Sequence, residues 1–385
     1  MRSTLNTLYG KECSKDILKL VGRIEQVGGV RLIRLDQGLE AGVRVAQVRT
    51  GTGFGFSVLL DRGMSISDAE YRGAAIGWKS QTGDVGPSYY DPRGTEWLRG
   101  FFGGLLTTCG LTWAGAACTD EGTDLGLHGR GAFLPAETVN AMGEWAGDRY
   151  VIRVEGRVRE ARVFGPNMVL TRKIETELGS NRMMIEDTLT NEGWSDTPLM
   201  ILYHFNIGFP VLDNGARLIS TSMRYVPRDK DAWERHEEFS EFGPPEPSFR
   251  EKVYFHDVAV DNEGYAYTGI INEKFDRGKG IGVSLKFRKD QLSRLIEWKM
   301  VGEGEYVVGM EPSNCLVMGR AKEREWNTLQ VLRPGESKKI QIELDVLTGL
   351  EDTRAFRETV EKITRNKRPV LVKDVDEFVR SSSGH

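Results

Sequence analysis

Alternation of apolar and polar residues with a period of two is the feature that most limits what this chain can fold into. It is clearest in Val151-Ile-Arg-Val-Glu155, in Arg172-Lys-Ile-Glu-Thr-Glu-Leu178, in Met183-Met-Ile-Glu-Asp-Thr-Leu189 and in Ile340-Gln-Ile-Glu-Leu-Asp-Val346. A strand sends successive side chains to opposite faces, so these segments read as long antiparallel strands with one face in a core and one in water. Val30, Leu32 and Leu35, then Val43, Val45 and Val48, continue the pattern toward the amino terminus, with Gly28-Gly29 and Gly38 as turns. Helical spacing takes over only after Glu351, where Phe356, Val360 and Ile363 recur at three- and four-residue steps. The expectation is an all-β domain over residues 1–350 and a helical appendage over 351–385, with a disordered end from Ser381.

The 385 residues, 39% hydrophobic and 28% charged, suffice for a substantial core under a solvated surface. Lysine and arginine number 52 against 56 acidic residues, giving a net charge of -4 with no long block of either sign. Nucleic-acid and membrane-surface binding need clustered positive charge, so both classes are disfavoured. The amino terminus lacks the apolar core of a signal peptide and no apolar run reaches membrane-spanning length, which points to the cytoplasm. Cys13, Cys109, Cys118 and Cys315 form no Cys-x-x-Cys pair and have no histidine at zinc-ligand spacing, so they read as small buried thiols, with no metal site. Gly51-Thr-Gly-Phe-Gly-Phe56 has the look of a phosphate loop, but Ser57-Val-Leu-Leu-Asp61 continues as a strand where such a loop would open a helix.

Three segments place one acid or base among glycines or apolar residues. In Pro198-Leu-Met-Ile-Leu-Tyr-His-Phe-Asn-Ile-Gly-Phe-Pro210, His204 shares a strand face with Leu202 and Asn206, so imidazole and carboxamide present donors and acceptors together. In Gly126-Leu-His-Gly-Arg130, strand geometry would turn His128 and Arg130 the same way. Glu311 follows the apolar Val307-Val-Gly-Met310, where burial would raise its pKa toward that of a working base. Each has a structural alternative: a core or turn histidine satisfied by its neighbours, or a glutamate in a salt bridge. Arg62 and Lys299 are further cations beside glycine or tryptophan, and a solvated cation is the competing reading for both. The loop-rich region that follows Asp61-Arg-Gly-Met-Ser-Ile66 and runs through Arg99, with Trp78, Tyr89, Tyr90 and Trp97, could wall a site. Residues 224–250 read as a surface excursion, and His236 and His256 as surface positions.

Taken together, Asp61-Arg-Gly-Met64, Phe102-Gly-Gly-Leu-Leu-Thr-Thr-Cys-Gly110, Gly126-Leu-His-Gly-Arg130, Tyr203-His-Phe-Asn-Ile-Gly-Phe-Pro210, Trp298-Lys-Met300 and Gly309-Met-Glu-Pro-Ser-Asn-Cys315 resemble the galactose mutarotase-like, or aldose 1-epimerase-like, superfamily, and its DUF4432 branch in particular. The resemblance covers about residues 18–350 and implies a β-supersandwich of two large antiparallel sheets with a sugar cleft on a concave face. It also implies roles: Glu311 as the base that takes the anomeric hydroxyl proton, His204 as the acid that protonates the ring oxygen, and His128 as the histidine that orients the sugar. Ring opening needs that base and acid at once and no cofactor. Arg62, Arg130, Asn206 and Lys299 would bind the substrate, and Arg62 and Lys299, which look characteristic of the branch, suggest a sugar with extra oxygen functions. Where mutarotases carry an Asn-Pro-Tyr-His-Gly-type neighbourhood this chain has Asp124-Leu-Gly-Leu-His-Gly129, and Asp257 and Asp261 are the candidates for their substrate-binding aspartate.

The expected function is anomer interconversion of a free sugar, a small-molecule carbohydrate. Two other readings share the scaffold. An isomerase or lyase would use Glu311 or a histidine on a carbon-bound proton next to a carbonyl, and a non-catalytic protein would only hold the sugar. A glycoside hydrolase would need two carboxylates flanking the bond, and Glu311 is the one strong candidate.

Overall fold

The alternating segments pair edge to edge into two large sheets, one of 13 strands and one of 8. The computed structural model describes residues 6–382. Across the smaller sheet run Ala136–Ala146, Arg149–Ala161, Asn167–Glu177, Arg182–Asn191, Ser337–Thr348, Ile281–Arg288, Tyr265–Asn272 and Arg217–Ser220. The main path of the larger one runs from Val370–Leu371 through Ser222–Pro227, Lys252–Val258, Arg294–Gly302, Glu305–Ser313, Thr197–Gly208, Leu106–Leu111, Ser65–Tyr71, Phe54–Leu59 and Arg44–Arg49 to Gly29–Arg34. The expected all-β supersandwich is the architecture observed.

The central strand Thr197–Gly208 shows how alternation builds the layers. Tyr203, Phe205 and Ile207 enter the main core with residues of both sheets, such as Ile185 and Ile342 of the smaller one. Leu202, one residue before them and on the opposite face, joins a second cluster with Trp97, Phe101, Phe133, Phe255 and Ile296, so the sheet's outer face is also covered. Between the sheets Arg172 and Asp187, both fully buried, pair in register on neighbouring strands through contacts of 2.6 and 2.9 Å. Tyr203 donates its hydroxyl to Asp187 at 2.6 Å, and Arg172 donates to Thr108 Oγ1 at 2.6 Å. A buried charge pair is tolerable only when its remaining valences are met, and here the opposite sheet meets them.

The C-terminal segment is integrated with both sheets. The helix Gly349–Thr364 lays Phe356 and Val360 on Ile271 and Leu347, and Val370–Leu371 adds a parallel strand against Ser222–Pro227. Ser381, expected to be disordered, ends the helix Val375–Ser382 and donates to Glu377 O; residues 383–385 lie outside the described residues. The surface excursion starts later than expected, since Ser222–Pro227 is a sheet strand. Two further expectations fail. His256 is fully buried between Ser222 and Glu297 because its side chain faces inward, and Cys118, unlike the other cysteines, is only half-buried.

Candidate active site

His204 and Glu311 face each other across adjacent antiparallel strands. The pairs Leu202↔Ser313 and Phe205↔Met310 bracket them, so both side chains leave the same outer face. His204 Nε2 lies 3.2 Å from Glu311 Oε1, and both side chains are buried. The carboxylate has room because position 309 is glycine. A Cβ there would stand 2.4 Å from Glu311 Oε1 and 3.0 Å from Trp298 Cβ.

His128 arrives on a turn instead of the expected strand. Its φ is 55° and that of Gly129 is 75°, so the chain reverses there and Arg130 does not share its direction. The turn is clamped: His128 N donates to Gly115 O, and Gly110 N to His128 O, each at 2.8 Å. The glycines are steric necessities, because a Cβ at 126 would stand 2.1 Å from Pro92 O and one at 129 would stand 2.3 Å from Trp113 O. The turn brings the His128 ring to 6.0 Å from that of His204, edge on. Trp97 lies 4.9 Å from the His128 ring, and Phe101 and Trp298 each lie 5.3 Å from that of His204. Trp78 completes the wall at 6.1 Å from Phe101 and from Trp298.

Burial in this aromatic surround shifts all three groups toward their neutral forms. It pushes Glu311 well above the ordinary carboxyl range, aided by the negative charge of Glu251 and opposed by Arg228. It pushes His204 well below the ordinary imidazole range, with His128 adding to the shift, and takes His128 down to about 4, with Arg228 adding to the shift. Burial thus favours the neutral carboxyl and the neutral imidazoles over their charged forms. Polar atoms stay unsatisfied here: His128 Nδ1, His204 Nδ1, Asn206 Oδ1, Trp97 Nε1 and Glu311 Oε1 are buried without a hydrogen-bond partner, the 3.2 Å contact lacking the alignment of one. Buried polar groups ordinarily have partners, so this concentration makes the position a candidate binding site for a hydrogen-bonding ligand.

The other expected site residues divide. Asn206 is at the site, donating to His204 O at 2.9 Å and to Gly103 O at 3.1 Å. Arg130 is exposed, its guanidinium 5.5 Å from the Tyr90 ring centre. Arg62 is not brought to the cleft surface: it is wholly buried between Phe102 and Phe133 and donates to Ala132 O, Val85 O and Gly100 O. It pins the loops around the cleft. Lys299 points through the opposite face of its strand, its ammonium donating to Glu238 O at 2.7 Å and Glu241 O at 2.6 Å. Asp257 pairs with Arg224 and Lys289, and Asp261 accepts from Tyr267 and from turn amides, so neither has a carboxylate free for the cleft.

Two residues escaped the sequence reading. Arg228 donates through Nε to Asp229 Oδ2 at 2.7 Å and through Nη2 to Glu251 Oε1 at 2.9 Å, and the other oxygen of Glu251 accepts the Trp298 indole N–H at 2.8 Å. Arg228 and Glu251 thus join the Trp298 wall and act electrostatically on Glu311. No spacing signal connects Arg228 to Glu251, because pairing of the strands they flank makes the contact. Among the described residues no group of three or more His, Cys, Asp or Glu side chains could hold a metal ion, and no helix is long and apolar enough to cross a membrane.

Comparison with known proteins agrees with this fold. The DUF4432 family, described as a domain of unknown function, matches residues 40–346. A solved structure of a candidate aldose 1-epimerase from Klebsiella pneumoniae superposes with a TM-score of 0.84 at 24% identity, covering 90% of each chain. A galactose mutarotase-like protein from Clostridium acetobutylicum gives 0.55 at 12% identity over 84% of this chain and 99% of its own. Galactose 1-epimerase from Lactobacillus acidophilus gives 0.53 at 13% identity over the same shares. No curated protein matches the sequence.

Proposed function

The chain belongs to the DUF4432 family, and from that premise we propose that it is a carbohydrate isomerase of the aldose 1-epimerase type, interconverting the α and β anomers of a free sugar. The observation that carries this reading is the opposed placement of His204 and Glu311, 3.2 Å apart on an aromatic-walled face. Opening a hemiacetal removes a proton from O1 and delivers one to O5, and a neutral pair can do both without creating a net charge in a dry site. Starting from the neutral partners that burial favours, the carboxyl proton of Glu311 passes to His204. Glu311 takes the O1 proton as base while His204 protonates O5 as acid, and the ring opens. Rotation about C1–C2 and reclosure through the reverse transfers give the other anomer. His128, held neutral, orients the sugar through its ring nitrogens, Asn206 Oδ1 accepts a hydroxyl, and the aromatic wall packs against the C–H face of the sugar.

Exchange of α and β anomers, followed by NMR in deuterated buffer over aldoses, deoxy sugars and uronic acids, tests the proposal. Accelerated exchange for one sugar, lost in Glu311→Gln, is the expected result. No acceleration for any sugar would overturn it. Deuterium at a sugar carbon would then identify carbon-acid isomerase or lyase chemistry, and binding without either change a sugar-binding protein.

A further inference from the structure

Trp78 has a second side. Beyond it, over the strands Gly29–Arg34, Arg44–Arg49, Phe54–Leu59 and Ser65–Tyr71, lies a groove of about 1160 Å³ whose lining includes Trp78, a ring of the aromatic wall, and Lys79. Its size exceeds the roughly 300–1,000 Å³ of a typical small-ligand site. The lining follows from register. Arg31 pairs with Gln47 and Gln47 with Ser57, so these side chains form a row across neighbouring strands on one face. Asp68 of the next strand extends it and accepts from Lys79 Nζ at 3.2 Å. Beside the row Gly29, Gly55, Gly77 and Gly104 also line the groove. A trough of amide, hydroxyl and charged groups with an indole in its lining matches a polyhydroxylated ligand, which offers hydroxyls to the row and C–H faces to the ring.

We propose that this groove is a second sugar subsite, adjoining the catalytic pair through the aromatic wall at Trp78, and that the substrate is a reducing oligosaccharide or a comparably extended sugar. The assignment rests on the carbohydrate reading of the catalytic pair. The ring being opened lies under His204 and Glu311, and the next unit passes Trp78 and lies along Gln47 and Ser57. Binding energy from that remote unit holds the reacting ring in place.

The test uses the full chain and calorimetric binding, which does not depend on catalysis. Glucose, galactose, mannose and xylose are compared with reducing di- and trisaccharides built from them, for the native protein, Gln47→Ala, Arg31→Ala and Ser57→Trp. At least one oligosaccharide is expected to bind tenfold or more tightly than its own reducing monosaccharide. Ser57→Trp should abolish that advantage and Gln47→Ala reduce it severalfold, with monosaccharide affinity unchanged. Gln47 and Arg31 are exposed, so their truncation leaves the fold intact even if the tryptophan does not. Oligosaccharides that bind no better than monosaccharides, or do not bind at all, overturn the subsite, as does an advantage insensitive to all three variants. Oligosaccharide binding through the groove without anomer exchange would keep the subsite and reject the mutarotase chemistry.

Discussion

Glu311 and His204 occupy directly opposed positions on adjacent antiparallel strands, with Oε1 and Nε2 3.2 Å apart. Their protonation yields the first prediction. Anomer exchange should follow a bell-shaped pH profile. It falls on the acid side as the imidazoles take up protons, at about pH 4 for His128, and on the alkaline side as Glu311 ionises with His204 still neutral. Glu311→Gln should cost about 10³-fold in rate. Because the folded-state pKa of Glu311 is raised, the unfolded chain ionises it first, so its burial costs stability at neutral pH. Glu311→Gln should therefore raise the melting temperature at pH 7, and the gain should vanish below about pH 4, where the carboxyl is protonated in both states.

Gly309→Ala tests the placement of that carboxyl. The added Cβ would stand 2.4 Å from Glu311 Oε1, the mobile end of a side chain, so the carboxyl swings away and the strand is retained. Exchange should slow at least tenfold, since a displacement of about 1 Å is enough to spoil the geometry of proton transfer. Circular dichroism should stay unchanged; a native rate would refute the arrangement.

Removing Arg228 should retune the site without touching the proton-transferring atoms. Its positive charge lowers the pKa of both Glu311 and His128, so Arg228→Gln should move the alkaline and the acid limbs of the pH profile upward together. A Glu251→Gln variant should move the alkaline limb down, because the negative charge of Glu251 raises the pKa of Glu311. Unmoved limbs in both variants would show that the rim charges do not reach the pair.

Arg62 and Lys299 should behave as structural cations. Arg62→Met leaves the carbonyls of Ala132, Val85 and Gly100 without their donor, and a loss of about 3 kcal/mol is expected in denaturant titration. Lys299→Met should loosen the 238–241 segment and lower stability while sugar affinity stays within about twofold. A large affinity loss with unchanged stability would return Lys299 to the list of ligand contacts.

By itself, the sequence determined the layered β architecture, because period-two alternation admits one burial solution per strand: Tyr203, Phe205 and Ile207 must go one way and Leu202, His204 and Asn206 the other. It also singled out His128, His204 and Glu311, since an ionisable group among glycines or apolar residues is costly to bury and stands out. Which cations accompany them was decided only in three dimensions. Arg62 and Lys299 look available in one dimension, but backbone carbonyls from distant loops capture them. Arg228 and Glu251 look like ordinary surface charges until strand pairing sets them together beside Trp298. The turn at His128 was likewise invisible, because the contacts that force a positive φ there come from Gly110, Trp113 and Gly115 in neighbouring backbone. Alternation is a local property that short-range sterics enforce, whereas the partner of a long charged side chain depends on contacts between segments far apart in sequence.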